Sequence, residues 1–240
     1  MSLQIEVVED PARACAAMML GVAAGRGHIV LSGGSTPRAA YGAFVDAVHA
    51  VGVDVSGATM WFGDERCVPP DDERSNYLMV QKALLEPLGE GAAPAVVRMK
   101  GELGPEPGAD DYERELAGSG PDQFDLLLLG IGPDGHCASL FPDQPTLNER
   151  SRMVIGVDEA GLEPFVPRVS FTLPAIARGK HVVFLAAGES KAHAVAAAFG
   201  PAAAPDPHVP SSFVPAVASE VTVLLDPAAA AGLEEGAGAS

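Results

Sequence analysis

Basic side chains and cysteine are both scarce in this chain, and each shortage excludes something. Arginine and lysine number 15 against 32 aspartates and glutamates, a net charge of −17. A nucleic-acid backbone or an anionic membrane repels such a surface, so neither is an expected partner. Three cysteines, Cys15, Cys67 and Cys137, are an odd number without metal-ligand spacing. That argues against a disulfide framework or a zinc site and for a reducing compartment. The opening residues, MSLQIEVVEDP, are acidic where a secretory leader is basic, and no apolar core follows them. No run of about 18 apolar residues occurs, so no membrane-spanning helix is expected. The cytoplasm is the expected location. The lysine-containing phosphate loop of nucleotide hydrolases, the GxGxxG fingerprint and the GxSxG elbow are all missing. Neither a cofactor nor a metal is therefore expected.

What is present is an ordinary globular composition, 48% hydrophobic and 20% charged. Short apolar runs alternate with segments of helical periodicity. Strands are expected over 4–8, 28–31, 58–62, 96–99, 126–129, 154–157, 168–173, 181–187 and 221–225. Helices are expected from Pro11 to about Ala24, where Asp10 caps, and from Pro37, Asn76 and Lys191 onward. This alternation predicts an α/β fold, a doubly wound, mainly parallel sheet flanked by helices in the Rossmann-like manner. Residues 1–226 are read as a single α/β domain, and 227–240, rich in Ala, Gly and Glu, as a flexible tail. Residues 102–109 read as a mobile connection before a short helix over 110–116, and 201–215 as a proline-rich loop.

The most informative stretch is DLLLLGIGPDGHCASLFP, residues 125–142. Four consecutive leucines read as a strand buried on both faces. Gly130, Gly132 and Gly135 then break it and deliver Asp134 and His136 to its end. Three other polar clusters also follow apolar strands: 32–36, 64–66 and 188–191. In a doubly wound sheet those ends share the edge where ligands bind. Gly33 and Gly34 permit close backbone approach. Ser35 and Thr36 add hydroxyls, and the free amides of the following helix favour an anion. A plain capped turn is the competing reading of that loop. Asp64, Glu65 and Arg66 form either a solvated turn or an anion-holding group built on the planar Arg66 fork. Lys191, in a first helical turn, conflicts with the helix dipole, and such conflicts gather at functional sites.

The segments LSGGSTPRAAY, WFGDERCVPPDDERSNY, GIGPDGHCASLFP, RVSFT and GESKA, in this order, resemble the 6-phosphogluconolactonases. These are hydrolases of the oxidative pentose phosphate pathway, within the glucosamine/galactosamine-6-phosphate isomerase superfamily. The resemblance runs from about His28 to Lys191 and on toward Leu225. The DER…SNY and GPDGHxASLFP segments are its most specific parts. It implies hydrolysis of 6-phospho-D-glucono-1,5-lactone to 6-phospho-D-gluconate, with a small phosphorylated lactone as partner and a monomer or weak homo-oligomer as the assembly. Glucosamine-6-phosphate deaminases, the nearest relatives of different chemistry, continue after the GH in an A-F-N-E-P manner. Here Ala138, Ser139, Leu140, Phe141 and Pro142 follow instead, and Arg66 follows the acidic pair. A sugar-phosphate-sensing module without catalysis is the third reading. It leaves His136 without a task.

Lactone hydrolysis needs a base, and a free imidazole titrates near ~6.5, so His136 is the candidate general base. Asp134 either orients the imidazole or caps the next helix. Arg66 is the candidate for the oxyanion or lactone oxygen. The resemblance gives Gly34, Ser35, Thr36, Arg168 and Lys191 to the phosphate, with Gly33 and Asp64 counted in the binding set. The division of Arg66 and Arg168 between carbonyl and phosphate stays open. Cys137, beside His136, is disfavoured as a nucleophile because a water mechanism suffices.

Overall fold

The computed structural model describes residues 2–89 and 91–235. Its first half runs β1 (Ser2–Val7), α1 (Pro11–Ala24), β2 (His28–Leu31), α2 (Ser35–Val51), β3 (Thr59–Phe62) and β4 (Asp64–Arg66). Then come α3 (Asn76–Val80), continued by a π-helical turn (Gln81–Leu85) into α4 (Glu86–Leu88), and β5 (Ala95–Val96), α5 (Pro105–Ser119) and β6 (Leu126–Gly130). The rest is β7 (Val154–Val157), β8 (Arg168–Phe171), α6 (Leu173–Ile176), β9 (Val182–Ala186), α7 (Ala192–Phe199), α8 (Val214–Val217), β10 (Glu220–Leu225) and α9 (Pro227–Glu235).

Seven strands form one sheet in the order β1-β10-β9-β6-β2-β3-β5, and every pairing in it is parallel. From β2 the chain steps outward through β3 to β5. It then returns to lay β6 on the other side of β2 and continues through β9 to β10. The direction of winding reverses between β2 and β6, and the crevice at such a reversal is where an open α/β sheet takes its ligand. The central strands explain their own burial. Ile29, Val30 and Leu31 of β2 and Leu126–Leu129 of β6 are all at most 1% exposed, covered on both faces by helices. No helix among the described residues is long and apolar enough to cross a membrane.

The expected mainly parallel sheet is present, but the Asp64–Arg66 cluster is not a loop at its edge. It turns back as β4 into a separate antiparallel sheet of order β4-β8-β7. Gly63 joins the two sheets: its N–H donates to Leu31 O in the large sheet, and its carbonyl accepts from Phe171 N in the small one. A three-residue polar strand carries no apolar period, so the sequence pattern hides it.

Two further expectations need correction. Residues 102–109 are not a mobile connection, because α5 already starts at Pro105. Proline at a first helical position loses no hydrogen bond, and Glu106 complements the helix dipole. Gly108, Ala109, Tyr112 and Leu116 bury one face of α5, and Tyr112 Oη accepts from Phe62 N at 2.9 Å and donates to Val97 O at 3.1 Å. Packing overrides the Gly/Pro-rich composition there. Nor is the stretch after Pro227 a flexible tail as far as Glu235. Asp226 accepts from Ala229 N at 2.7 Å, capping α9, and Ala229 is fully buried. Small side chains bring α9 close to α7: a Cβ at Gly232 would stand 2.7 Å from Ala192 O. Residues 236–240 of that expected tail lie outside the described residues. The expected loop over 201–215 contains a 3₁₀ turn, Pro210–Phe213, before α8.

Candidate active site

The turn from β2 into α2 is held from one side. Tyr41, on α2, accepts from Ser32 N at 2.9 Å and donates to Ser32 O at 2.7 Å. One hydroxyl thus satisfies both backbone groups of the residue that follows β2. Ser32 Oγ in turn accepts from Gly130 N at 3.2 Å, bridging the two strands at the winding reversal. Gly34, with φ of 112°, precedes α2 and supplies no side-chain cap. The first amides of this 17-residue helix are therefore left for an anion.

Across the crevice, Glu65 holds the start of α3. Its carboxylate accepts from Arg66 N (2.7 Å), Asn76 N (2.7 Å), Tyr77 N (2.8 Å) and Ser75 Oγ (3.0 Å). Burial pushes the Glu65 carboxyl up, these hydrogen bonds oppose the shift, and the net direction is upward. Ser75 then caps α3 by accepting from Leu78 N. Asp64 accepts from Asn76 Nδ2 at its carbonyl (2.9 Å) and carboxylate (3.2 Å), and from Ser139 Oγ at 2.8 Å. Gly33 is required by this arrangement, because a Cβ there would stand 2.1 Å from Asn76 Oδ1.

The loop after β6 carries a dyad. His136 Nδ1 lies 2.6 Å from Asp134 Oδ1, and His136 N donates to the same oxygen at 3.2 Å. Burial pushes the Asp134 carboxyl up, but hydrogen bonding to His136 and the charge of that ring outweigh it. The net direction is down. An ionised Asp134 accepts a hydrogen bond from Nδ1–H and leaves Nε2 as the nitrogen with the free lone pair. Gly135 adopts φ of 82° and Ala138 φ of 49°. The first suits glycine; the second is a strained position for alanine, as backbone at functional sites often is. Cys137 is fully buried and burial pushes its thiol up to about 12, which removes it as a nucleophile.

Arg168 opens β8 directly opposite Arg66 of β4 in the antiparallel register. Like charges in facing positions destabilise a sheet, so the pair is a local conflict that a bound anion would relieve. Arg168 Nε donates to Val166 O at 3.1 Å, and Nη2 donates to Pro164 O (2.9 Å) and Leu162 O (3.4 Å). Its guanidinium also lies over the Phe141 ring. Burial lowers the Arg168 pKa, Asp64 opposes that shift and Arg66 adds to it. Arg66 Nη1 donates to Arg74 O at 2.6 Å, while its buried Nε has no partner among the described residues. Lys191 Nζ donates to Ile131 O at 2.8 Å; burial lowers its pKa and the nearby Asp134 raises it.

These groups meet in a cleft of about 180 Å³ at the C-terminal ends of β2 and β6. Gly33, Gly34, Asp64, Arg66, His136, Arg168 and Lys191 all line it. Ser35 lines an adjoining cleft of about 440 Å³ that shares Gly34, Arg66 and Asn76 with the first. Thr36, the next residue of α2, lines neither. Asp134 stands behind His136, and Arg168 is largely occupied by loop carbonyls, which the sequence does not reveal. Sequence reasoning also misses Glu65, Asn76, Ser139 and Tyr41 as builders of the site. The SNY triplet beside DER was the available signal for the first two. No group of three or more His, Cys, Asp or Glu side chains is placed to hold a metal among the described residues.

Comparison with known proteins places these features in a lineage. A family model described as "Glucosamine-6-phosphate isomerases/6-phosphogluconolactonase" matches residues 3–223. A 6-phosphogluconolactonase from Streptomyces coelicolor is 40% identical over 185 residues, 72% of this chain and 70% of that protein. One from Synechocystis sp. is 38% identical over 197 residues, covering 79% and 78%. The crystal structure of 6-phosphogluconolactonase from Leishmania guyanensis superposes with a TM-score of 0.80 at 28% identity, covering 97% of this chain and 99% of that one. The chain therefore belongs to the glucosamine-6-phosphate isomerase/6-phosphogluconolactonase family.

Proposed function

We propose that this protein hydrolyses 6-phospho-D-glucono-1,5-lactone to 6-phospho-D-gluconate, and that His136 activates the water. The observation that carries this reading is the 2.6 Å contact between His136 Nδ1 and Asp134 in a cleft that Arg66, Arg168 and Lys191 also line. Named lactonases at 38–40% identity support the substrate.

Asp134 holds the imidazole in the tautomer that carries its proton on Nδ1. The Nε2 lone pair takes a proton from water as the oxygen attacks the lactone C1. The carbonyl electrons move onto oxygen, and an arginine fork stabilises that charge, a role worth ~3 kcal/mol. Arg66 is the better placed of the two arginines, because its Nε lacks a partner while Arg168 holds three loop carbonyls. The tetrahedral intermediate collapses, the C1–ring oxygen bond breaks, and the His136 imidazolium returns its proton to the leaving oxygen. A positioned base contributes roughly 10²–10⁴-fold.

The phosphate sits against Gly33, Gly34 and Ser35 at the uncapped start of α2, with Thr36 contributing its amide. Lys191 and the remaining Arg168 donors complete the cradle. Asp64 braces Asn76 and Ser139 at the edge of the site. Action on a metabolic intermediate and three cysteines free of disulfides support a cytoplasmic location.

The test is stopped-flow proton release from freshly made 6-phosphogluconolactone, for the wild type and His136→Ala, against the spontaneous rate. Fast wild-type turnover with at least a hundred-fold loss in the folded variant is expected. A wild-type rate equal to background overturns the reading, and glucosamine 6-phosphate then becomes the substrate to try.

A further inference from the structure

Phe141 lies beside the base without a part in the chemistry described above. Its ring centroid stands 4.8 Å from that of His136, with 43° between the planes. The side chain is 1% exposed. Two features fix it there. The Arg168 guanidinium lies 5.9 Å from the same ring centroid, and Arg168 is itself tied to the carbonyls of Leu162, Pro164 and Val166. Gly161 packs so closely that a Cβ there would stand 3.1 Å from Phe141 Cβ, Cγ and Cδ1.

We propose that Phe141 is a positioning residue for His136, whose π face holds the imidazole and steadies the positive charge that it gains on taking the proton from water. This rests on the proposed role of His136 as base. An aromatic face carries negative potential, and a cation beside it is stabilised once water is excluded. The neutral ring gains far less, so the interaction strengthens as the proton moves, which is the condition for lowering a barrier. The charged groups that also bear on His136 are Asp134 on its own loop, Asp64 and Arg66 on β4, Arg168 on β8, Glu163 in the loop before it, and Lys191 ahead of α7. Asp134 fixes one nitrogen of the ring, and Phe141 supports its plane.

Site-specific replacement of Phe141 by mono-, di- and trifluorophenylalanine keeps shape and hydrophobicity while draining the π face stepwise. The acidic limb of the pH–rate profile is expected to move stepwise to lower pH, by about half a pH unit across the series, with kcat falling about 2–5-fold. The sign follows from the charge: a less stabilised imidazolium gives up its proton more readily, so the neutral base persists to lower pH. The ring C–H shifts of His136, followed by NMR titration without substrate, are expected to move the same way. Phe141→Leu, which removes the ring, lies at the end of the series. A flat titration and a flat acidic limb across the series overturn the proposal, as does loss of thermal stability with neither limb nor titration moving. A moving titration in a protein that does not hydrolyse the lactone leaves Phe141 supporting His136 and sinks the lactonase reading instead.

Discussion

A Cβ built on Gly132 would stand 2.0 Å from His136 Nδ1 and 2.3 Å from Asp134 Oδ1. The empty space at position 132 is therefore the room in which the dyad closes. Gly132 also donates to His136 O at 2.8 Å and accepts from Gly135 N at 3.0 Å, so the same residue pins the backbone of the turn. Gly132→Ala should push the imidazole off Asp134 and lower kcat by about 10²–10⁴-fold, the full contribution of a positioned base. Stopped-flow turnover beside a circular dichroism spectrum checks it, because a folded variant with wild-type kcat contradicts the steric argument.

Asp134 provides a pH prediction. Its folded carboxyl titrates below its unfolded value, so the stability it contributes is complete above the ordinary carboxylate range near ~3.9 and is lost as pH falls through the lower, folded value. Thermal unfolding from pH 3 to 7 should show the wild type gaining stability over Asp134→Asn as pH rises through the acid range. The difference should level off above about pH 5. A constant offset at all pH values would show that the pair does not titrate in this way.

Glu65 is a structural anchor for the start of α3. Replacing it with alanine strands the amides of Arg66, Asn76 and Tyr77 and the Ser75 hydroxyl in a buried place. Buried donors left unpaired cost about 1–3 kcal/mol each before relaxation, so Glu65→Ala should lose roughly 3 kcal/mol in urea unfolding. The cleft shares Asn76 with this cluster, and turnover should fall alongside stability.

Cys137 provides the control. Its thiol is buried and held protonated, so Cys137→Ala should keep kcat within about two-fold of wild type. Loss of activity in a folded Cys137→Ala would reinstate a nucleophilic cysteine.

The large sheet was legible because its strands are long, apolar and unambiguous: 28–31, 126–129 and 221–225 in the sequence reading correspond to β2, β6 and β10. The ends of β2, β6 and β9 bring Gly33, Gly34, His136 and Lys191 into one cleft, as the alternating pattern implies. The small sheet was hidden because Asp64, Glu65 and Arg66 have no apolar alternation to reveal a strand. The start of α5 was hidden by prolines and glycines that a first helical turn accommodates. The carbonyls that occupy Arg168 were out of reach for a different reason: a charge in a sequence does not show which backbone groups will meet it. The same holds for the clamp that Glu65 puts on α3, which takes four donors, one from Arg66 and three from residues 75–77.

His136 and the two arginines stand on different plates. His136 follows the large sheet, whereas Arg66 and Arg168 are facing partners within the small one. Two bonds from Ser139 rivet the plates together, Oγ to Asp64 at 2.8 Å and N to Ser170 Oγ at 3.0 Å. A slide of one plate on the other changes the reach from His136 to the arginines and leaves the spacing of the arginines untouched. Together with Gly63, which bonds to both sheets, Ser139 thus pins the alignment of the cleft although it need never touch what is bound.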